Sequence, residues 1–255
     1  MTTPSIDLNA DVGEHDGAPP APERALLRLV TSVNVACGWH AGDASSMRHT
    51  VVAAAACGVQ VGAHPSFPDR EGFGRRMRAM PPHEIVDAVA HQVDALCAVA
   101  ALEDVRVRFV KPHGALYNVA WHDPSLASAI VGGVLSVDAT LAIVAPHRSA
   151  LAAAAQAAGV RVVEEGFLDR AYEDNGRLTP REIAGAVLTD ASAAARRAAD
   201  WVLTGRVGAR SGSVLTVPVQ TLCVHSDTPG AVALASAVRA ALALAGIDVR
   251  SPLGP

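Results

Sequence analysis

Short runs of apolar, largely β-branched residues alternate along this chain with longer Ala-rich segments whose apolar positions have helical spacing. A run that is too short for a helix favours a strand, and the repeated alternation favours a parallel sheet with helices packed on it. About seven strands are predicted, at residues 5–11, 32–37, 59–64, 108–113, 140–146, 161–168 and 220–226.

The longer segments predict helices between the strands, several of which open with Asp or Thr followed by Pro and close on Gly. One long helix is predicted at 179–203, and a small hairpin or loop is predicted in the Gly- and Ser-rich stretch 204–220. No linker divides the chain, so we expect a single domain over residues 1–255. The sheet is either a closed barrel or an open doubly wound sheet, and in both the active site lies at the carboxyl ends of the strands.

Ionisable and amide residues collect near the carboxyl ends of the predicted strands. Because strand side chains alternate between two faces, Asp7, Asn9 and Asp11 share one face of the first strand, and Ile6 and Leu8 share the other. Burying so many polar groups without a purpose costs much free energy, so we expect a functional site there. The other polar residues near these ends are Glu14, Asn34, His40, Asp43, His64, Lys111, His113, His147, Glu164, Asp169, Arg170, His225 and Asp227.

A carboxylate and several histidines on neighbouring strand ends suit two kinds of hydrolysis. In one, Asp11 and two of the residues His40, His64 and His113 bind a divalent metal ion and leave a position open for water. In the other, Asp11 or a histidine takes a proton from water, and Lys111 stabilises an oxyanion or binds a carboxylate. No HExxH motif decides between them, so metal binding stays open.

Composition and charge argue against several other classes of function. The net charge of −4 and the pI near 6.2, with no basic run, make nucleic acid and anionic membranes unexpected partners. No apolar stretch reaches the length of a membrane span and no signal-peptide pattern is visible, so a cytoplasmic protein is expected. The four cysteines form no CxxC pair and are expected to be reduced thiols in the core. The usual nucleotide loops, GxGxxG after the first strand and GxxxxGK[ST], are absent.

The chain resembles the LamB/YcsF family over nearly its whole length. The motifs that carry the resemblance are IDLNADVGE at 6–14, NVACGWHAGD at 34–43, GAHPSFPDREGFGR at 62–75, VKPHGALYN at 110–118, DRAYEDNGRLTPR at 169–181 and QTLCVHSD at 220–227. The resemblance implies an irregular parallel (β/α) barrel, similar to a TIM barrel and related to the glycoside hydrolase/deacetylase superfamily.

The resemblance also implies an activity, ATP-dependent 5-oxoprolinase, which hydrolyses the cyclic amide 5-oxo-L-proline to L-glutamate in a complex with subunits B and C. ATP is then expected to bind mainly on those partner subunits, which would activate the lactam by phosphorylation. This chain would direct water onto the activated carbon. Whether the chain also forms a homo-oligomer is left open.

The resemblance supports positions for the catalytic residues, to which we assign roles. Asp11 or His64 is expected to be the base. His113 is expected to be the acid, and Lys111 is expected to stabilise charge. The expected substrate-binding residues are Asn9, Glu14, Asn34, His40, Asp43, Arg170, His225 and Asp227.

The chain departs from the family pattern in two places. His15 and Asp16 stand where small residues are expected, and Ser226 stands where Gly is usual in a CxHGD motif. Neither change removes an ionisable residue of the expected site. Two rival functions stay open beside the first: a metal-dependent deacetylase acting on an N-acetyl sugar or related amide, and a noncatalytic scaffold for partner subunits.

Overall fold

Seven parallel strands form a closed barrel in the computed structural model of the protein, which describes residues 3–254. The barrel strands are β1 (Ser5–Val12), β2 (Ser32–Ala36), β3 (Gln60–His64), β4 (Val107–Val110), β5 (Ala142–Pro146), β6 (Val162–Phe167) and β9 (Thr221–Cys223). Strand β9 pairs with both β6 and β1, and this pairing closes the barrel. The predicted irregular parallel (β/α) barrel of about seven strands is therefore confirmed, and the open sheet is excluded.

Three short strands lie outside the barrel. Strands β7 (Arg206–Gly208) and β8 (Val214–Thr216) form an antiparallel hairpin, as predicted for the stretch 204–220. Strand β10 (Asp248–Val249) pairs with the beginning of β1 and brings the end of the chain back to the barrel.

Helices follow most of the barrel strands and pack their apolar faces against the outside of the barrel. Their bounds are α1 (Ala21–Leu26), α2 (Ala44–Ala56), α3 (Pro82–Ala101), α4 (Gly114–Ala120), α5 (Pro124–Val137), α6 (Ala150–Ala157), α7 (Ala191–Thr204) and α8 (Ala231–Leu244). Among residues 3–254, none of the helices combines the length and the apolar character that crossing a membrane requires.

The predicted helix at 179–203 is wrong in its first half. The helix α7 begins only at Ala191, where the Asp190 side chain accepts hydrogen bonds from the first turn. The preceding segment 171–190 is irregular, and Gly185 adopts a left-handed φ of 79° that interrupts a helix. Part of this segment forms a wall of the cavity described below, so its irregular path has a structural role.

The interior of the barrel has a polar side and an apolar side. The alternation predicted for β1 holds, because Asp7, Asn9 and Asp11 contact residues across the barrel while Ile6 and Leu8 belong to the outer apolar core. The apolar side is a small buried cluster made of Phe109, Ala142, Val144 and Val163, with Leu253 packed against it. Polar side chains therefore come mainly from one part of the barrel wall.

A glycine makes room for the largest side chain of the apolar side. Gly62 on β3 faces Phe109, and a Cβ at Gly62 would lie only 2.1 Å from Cε2 of the ring. The ring fills the space that a side chain on β3 would otherwise occupy. The aromatic side chain and the glycine therefore depend on each other.

The four cysteines are free thiols, but they are not all in the core. Cys37 and Cys223 are buried and Cys97 is half-buried, whereas Cys57 is exposed. The prediction was wrong for Cys57 because this residue caps the carboxyl end of α2, where the helix reaches the surface.

Candidate active site

A cavity of about 340 Å³ opens at the carboxyl ends of the barrel strands. Its size is that of a small-molecule site. The segment 177–182 and residues around α4 form much of its wall. Of the residues predicted from the sequence, those that line the cavity are Asp11, His64, Lys111, His113, Arg170 and His225.

Lys111, the single lysine of the chain, lies buried between two carboxylates. Its Nζ is 3.0 Å from Oδ1 of Asp11 and 2.8 Å from Oε1 of Glu165, and it also contacts Sγ of Cys223 at 3.1 Å. Burial alone would lower the pKa of Lys111, but the charges of Asp11 and its other neighbours outweigh burial and hold that pKa well above its usual value. The ammonium therefore stays charged at the floor of the cavity.

Asp11 lies beside Lys111 and is equally well supplied with partners. Its Oδ1 accepts hydrogen bonds from Nδ2 of Asn34 at 2.8 Å and from the Lys111 ammonium, while its Oδ2 lies 3.4 Å from Nε2 of His64. Burial raises the pKa of Asp11, but the nearby His64 and Lys111 lower it more, so the pKa is well below the usual value. Asp11 is therefore a fixed carboxylate.

Two histidines face each other next to Asp11, and backbone carbonyls determine their tautomers. Nδ1 of His64 lies 2.6 Å from the carbonyl oxygen of Lys111, and Nε2 of His113 lies 2.8 Å from that of Phe73. Since a carbonyl oxygen only accepts, each of these nitrogens must carry the proton. The other two nitrogens, Nε2 of His64 and Nδ1 of His113, are 3.0 Å apart. Burial, followed by His40 and His64, lowers the pKa of His113 well below its usual value.

Glu14 and His40 extend this group on the side away from Asp11. Nε2 of His40 lies 3.2 Å from Oε1 of Glu14, and the His40 ring stacks on that of His113 with centroids 3.8 Å apart. Burial and the Asp11 charge raise the pKa of Glu14 to about 7. Burial and His64 lower the pKa of His40 well below its usual value. One ligand atom from each of Glu14, His40, His64 and His113 lies within 4.8 Å of the others, a spacing that could hold a metal ion.

His225, which follows β9, lines the cavity and pairs with a buried aspartate. Nδ1 of His225 lies 2.9 Å from Oδ1 of the buried Asp169, whose Oδ2 also accepts a 2.6 Å hydrogen bond from Thr228. Burial would raise the pKa of Asp169, but His225 and these hydrogen bonds lower it below the usual value. The ionised carboxylate holds the proton on Nδ1 and leaves Nε2 of His225 as an acceptor.

Arginines surround the outer part of the cavity. Arg75, Arg170, Arg177 and Arg181 all belong to its lining. Arg170 is buried and donates to the carbonyl oxygen of Thr179 at 2.6 Å, which attaches it to the irregular segment. Burial and the nearby Arg181 lower the pKa of Arg170 to about 10, so it remains a cation at neutral pH.

Asp227 lies between two of these arginines without lining the cavity itself. Its Oδ2 is 2.5 Å from Nη2 of Arg75 and 3.7 Å from Nη1 of Arg181. One carboxylate shared by two guanidinium groups leaves net positive charge at the rim. Asp227 therefore forms an ion pair with Arg75 at the rim, and its predicted contact with substrate stays a prediction.

Of the other residues predicted to bind substrate, Glu14 and His40 do not line the cavity, and three more, Asn9, Asn34 and Asp43, also lie away from its surface. Asn9 donates to Glu165 and Thr221 inside the barrel, and Asn34 donates to Asn9 and Asp11. Both lie beneath the cavity and support the residues that line it.

Asp43, the third of these residues, is exposed and caps α2. Its side chain accepts a hydrogen bond from the backbone of Ser46, and the Ser46 hydroxyl accepts one from the backbone N–H of Asp43. This reciprocal capping box accounts for an aspartate at the position before the helix. Asp43 does not line the cavity.

Sequence reasoning missed Glu165 as a functional candidate. Its carboxylate is buried, pairs with Lys111 and accepts a 2.6 Å hydrogen bond from the Tyr117 hydroxyl. The neighbouring Glu164 instead pairs with His147 at 2.8 Å. The signal that could have identified Glu165 is parity, because residues 163, 165 and 167 share the inward face of β6.

The comparisons with known proteins agree with one another. The sequence pattern of the LamB/YcsF family matches residues 6–254. A protein of Methylococcus capsulatus, named as the A subunit of 5-oxoprolinase, is 48% identical over 96% of this chain and 95% of its own length. A protein of the same name from Bordetella pertussis is 45% identical over 97% of this chain and 99% of its own length.

Solved structures show the same fold. The crystal structure of a lactam utilization protein from Thermus thermophilus superposes with a TM-score of 0.90 at 43% identity, covering 97% of this chain and 99% of that one. A family 4 carbohydrate esterase from Streptomyces lividans has a TM-score of 0.51 at 11% identity, covering 97% of this chain and 93% of that one. That more distant likeness concerns the fold alone.

Proposed function

Because this chain belongs to the LamB/YcsF family, we propose that it is the A subunit of an ATP-dependent 5-oxoprolinase and carries out the ring-opening hydrolysis. The partner subunits would first phosphorylate the lactam oxygen of 5-oxo-L-proline. Water then adds to C5, the ring C–N bond breaks and the nitrogen takes up a proton, which gives γ-glutamyl phosphate. A second water cleaves the acyl phosphate and releases phosphate and L-glutamate. The observation that carries the proposal is the cavity, which has fixed charges at its floor and arginines around its outer part. The names of the relatives support the choice of substrate.

The arginines suit the charge of this substrate. 5-Oxoproline carries a carboxylate at neutral pH, and a phosphorylated lactam carries further negative charge. Guanidinium groups bind both carboxylate and phosphate through paired hydrogen bonds. Arg75, Arg177 and Arg181 provide such groups at the cavity wall, and Arg170 adds a buried positive charge.

His225 is the proton-transfer residue that the geometry favours. It lines the cavity, and Asp169 holds its Nδ1 proton so that Nε2 is free to accept a proton from water. His113 fits the predicted acid role less well, because its proton is donated to the Phe73 carbonyl. His64 likewise donates its proton to a carbonyl and presents an acceptor to the cavity.

Lys111 and Asp11 supply the fixed charges around the reacting carbonyl. Since Lys111 is held between Asp11 and Glu165, its ammonium is oriented before substrate binds. Preoriented positive charge stabilises the negative charge that develops on oxygen when water adds to C5. Asp11 keeps Lys111 in place and borders the position of the attacking water.

Coupling to ATP belongs, in this proposal, to partner subunits B and C. The sequence contains neither of the usual nucleotide-binding loops, and its one lysine is committed to the cavity floor. The partners would phosphorylate the lactam and pass it to this cavity. ATP therefore acts as a co-substrate of the complex rather than a ligand of this chain.

Reconstitution tests the proposal. The full-length chain is assayed for glutamate and ADP with subunits B and C and without them, and turnover is expected only in the three-subunit mixture. His225→Gln is expected to lower kcat roughly 10²- to 10⁴-fold and to remove one limb of the pH–rate profile. His147→Gln is the matched control, because His147 also pairs with a glutamate but does not line the cavity.

Two results would contradict the proposal. Full ATP-dependent turnover by this chain alone would remove the division of labour among subunits. Unchanged kcat and an unchanged pH profile in His225→Gln would remove the assigned proton transfer. Loss of turnover in both histidine variants would be traced with their thermal unfolding curves, and equal loss in two folded proteins would also count against a specific role of His225.

A further inference from the structure

Four buried or half-buried acceptor atoms lie near one another beside the cavity, and the two central ones face each other with no donor between them. The first two are Nε2 of His64 and Nδ1 of His113, which are 3.0 Å apart. Each is a lone-pair nitrogen, because the opposite nitrogen of each ring donates its proton to a backbone carbonyl. Two facing lone pairs at this distance repel unless a positive species lies between them.

Carboxylates flank the two nitrogens. Oδ2 of Asp11 lies 3.4 Å from Nε2 of His64, and Oε1 of Glu14 lies 3.5 Å from Nδ1 of His113. The two donors that reach Asp11 from Asn34 and Lys111 both use Oδ1, which leaves Oδ2 facing the histidine. Ligand atoms of Glu14, His64 and His113 therefore lie within 4.8 Å of one another, and Asp11 adjoins this group through His64.

We propose that Asp11, Glu14, His64 and His113 bind a divalent transition-metal ion of the zinc class. Ligands about 2.0–2.1 Å from a tetrahedral zinc ion are roughly 3.4 Å from one another. Three of the six separations in this set, 3.4, 3.0 and 3.5 Å, are close to that spacing. Two imidazole nitrogens favour zinc, cobalt or nickel, whereas magnesium and calcium prefer oxygen ligands alone.

His40 positions Glu14 and is not itself a ligand. Its Nε2 lies 3.2 Å from Oε1 of Glu14, and its buried Nδ1 has no hydrogen-bond partner. A proton on Nδ1 would therefore be an unsatisfied buried donor, so the proton lies on Nε2 and is donated to the carboxylate. Such a contact from outside the ligand set fixes a metal-binding carboxylate.

A strained loop holds His113 in its tautomer. Phe73 adopts a left-handed φ of 54°, uncommon for a residue with a side chain, and this conformation directs its carbonyl oxygen to Nε2 of His113. Gly74 follows with a φ of 66°, and a Cβ there would lie 2.8 Å from Cδ2 of His113. Asp69 fastens the loop by accepting hydrogen bonds from Arg76 and Arg78. Metal-binding histidines are typically oriented by such carbonyl contacts.

This inference goes beyond the proposed function and does not depend on the identity of the substrate. When bound, the ion would supply Lewis acidity beside the cavity. The metal ligands considered from the sequence were Asp11 and two of the residues His40, His64 and His113. The proposed set adds Glu14 and gives His40 the role of positioning it. His225 lies within 4.8 Å of Asp11, but it has its own carboxylate partner, Asp169, and is not one of the proposed ligands.

Metal binding by the untagged full-length chain tests the inference without any measurement of activity. The protein is stripped with a chelator and dialysed against Zn²⁺ or Co²⁺, and bound metal is measured by mass spectrometry. About one ion per chain is expected, and the Co²⁺ form is expected to show visible absorption bands of low-symmetry coordination. His113→Ala and Glu14→Gln should each weaken Zn²⁺ affinity at least about 100-fold in a competition assay with a chromophoric chelator.

The controls separate binding from folding. His40→Gln should weaken affinity by about 10- to 100-fold, while His147→Gln should bind Zn²⁺ like the unmodified chain. Circular dichroism checks that each variant is folded, and Glu14→Gln, with the less buried side chain, serves where His113→Ala does not fold. Substoichiometric metal in the unmodified chain, or equal affinity in the folded ligand variants, would overturn the inference and favour a proton shared by His64 and His113.

Discussion

Asp7 and Asp11 stand four residues apart on β1, face the same interior and are almost equally buried, at 3% and 5% exposure. Their partners differ in kind. Asp7 accepts hydrogen bonds from the hydroxyls of Thr31, Ser32 and Thr221, all neutral donors within 2.6 Å. Asp11 instead faces Lys111 and His64 and borders the cavity.

The two environments move the carboxyl groups in opposite directions. At Asp7 burial dominates and raises the pKa, although the hydroxyl hydrogen bonds oppose it. At Asp11 the neighbouring charges outweigh burial and lower the pKa. One end of the strand thus holds a carboxylate that only completes the barrel, and the other end holds one kept ionised where a ligand can reach it. Burial of a charge does not by itself identify a site, whereas charged partners at a cavity do.

The largest expected effect is on turnover, which should distinguish substitution of Asp11 from substitution of Asp7. Asp11→Asn should lower turnover of the reconstituted complex roughly 10²- to 10⁴-fold, because it removes the negative charge that holds Lys111 and borders the attacking water. Asp7→Asn should leave turnover near that of the unmodified protein. Glutamate formation at saturating ATP and 5-oxoproline is the measurement. Intact activity in Asp11→Asn would instead support a noncatalytic scaffold.

The next largest effect is a loss of stability on the apolar side of the same barrel. Gly62→Ala should lower the free energy of unfolding by about 1–3 kcal/mol or more, because the new Cβ would overlap the Phe109 ring in a close-packed interior. Urea denaturation is the measurement. Gly208→Ala is the matched control, since nothing lies within 4 Å of a Cβ there. Adding Phe109→Leu should restore part of the loss, and the absence of any restoration would contradict the assigned clash.

The fold could be predicted from sequence more completely than the site. Period-two alternation and Ala-rich helices located all seven barrel strands, because each signal depends on residues close together in the chain. The long helix at 179–203 failed because the cavity wall needs an irregular path that local propensity does not reveal. Strand β4 ends at Val110, three residues earlier than predicted, since Pro112 lacks the N–H that would extend the ladder.

Side-chain contacts between residues on different barrel strands could not be predicted from the sequence. Glu165 and Glu164 are adjacent and chemically identical, yet only Glu165 meets Lys111, because barrel closure decides which face is inside. Asp7 and Asp11 satisfy the same alternation. The residues around them in the sequence do not predict that Asp7 will contact Thr221 and Asp11 will contact Lys111. Pairing register supplies that information, and register is set by the whole barrel.

A smaller effect tests the loop that shapes the cavity end. Gly74→Ala should lower Zn²⁺ affinity and turnover by about tenfold, since roughly 1–2 kcal/mol of strain at positive φ and the contact with His113 both displace the ring. Gly17→Ala is the control, because it has a similar φ of 72° but nothing within 4 Å of a Cβ. Equal losses in the two variants would show that backbone strain alone, and not the approach to His113, is responsible.

The smallest expected effect is a change in how the free energy of unfolding depends on pH, and it concerns Asp7 alone. Because folding raises the Asp7 pKa above its usual 3.8, the folded state holds more protons than the unfolded state in the pH range just above that value. The Asp7 contribution to stability is therefore greatest at low pH and declines as pH rises through the folded pKa. Asp7→Asn should remove this decline. The free energy of unfolding of Asp7→Asn, relative to that of the unmodified chain, should therefore increase between about pH 4 and pH 7.

Urea denaturation at both pH values measures this difference. Asp94→Asn, at an exposed position, is the control and is expected to show no such trend. A relative stability of Asp7→Asn that worsens over that range would mean that the three hydroxyl donors, and not burial, control this carboxylate, and the contrast with Asp11 would then lose its basis.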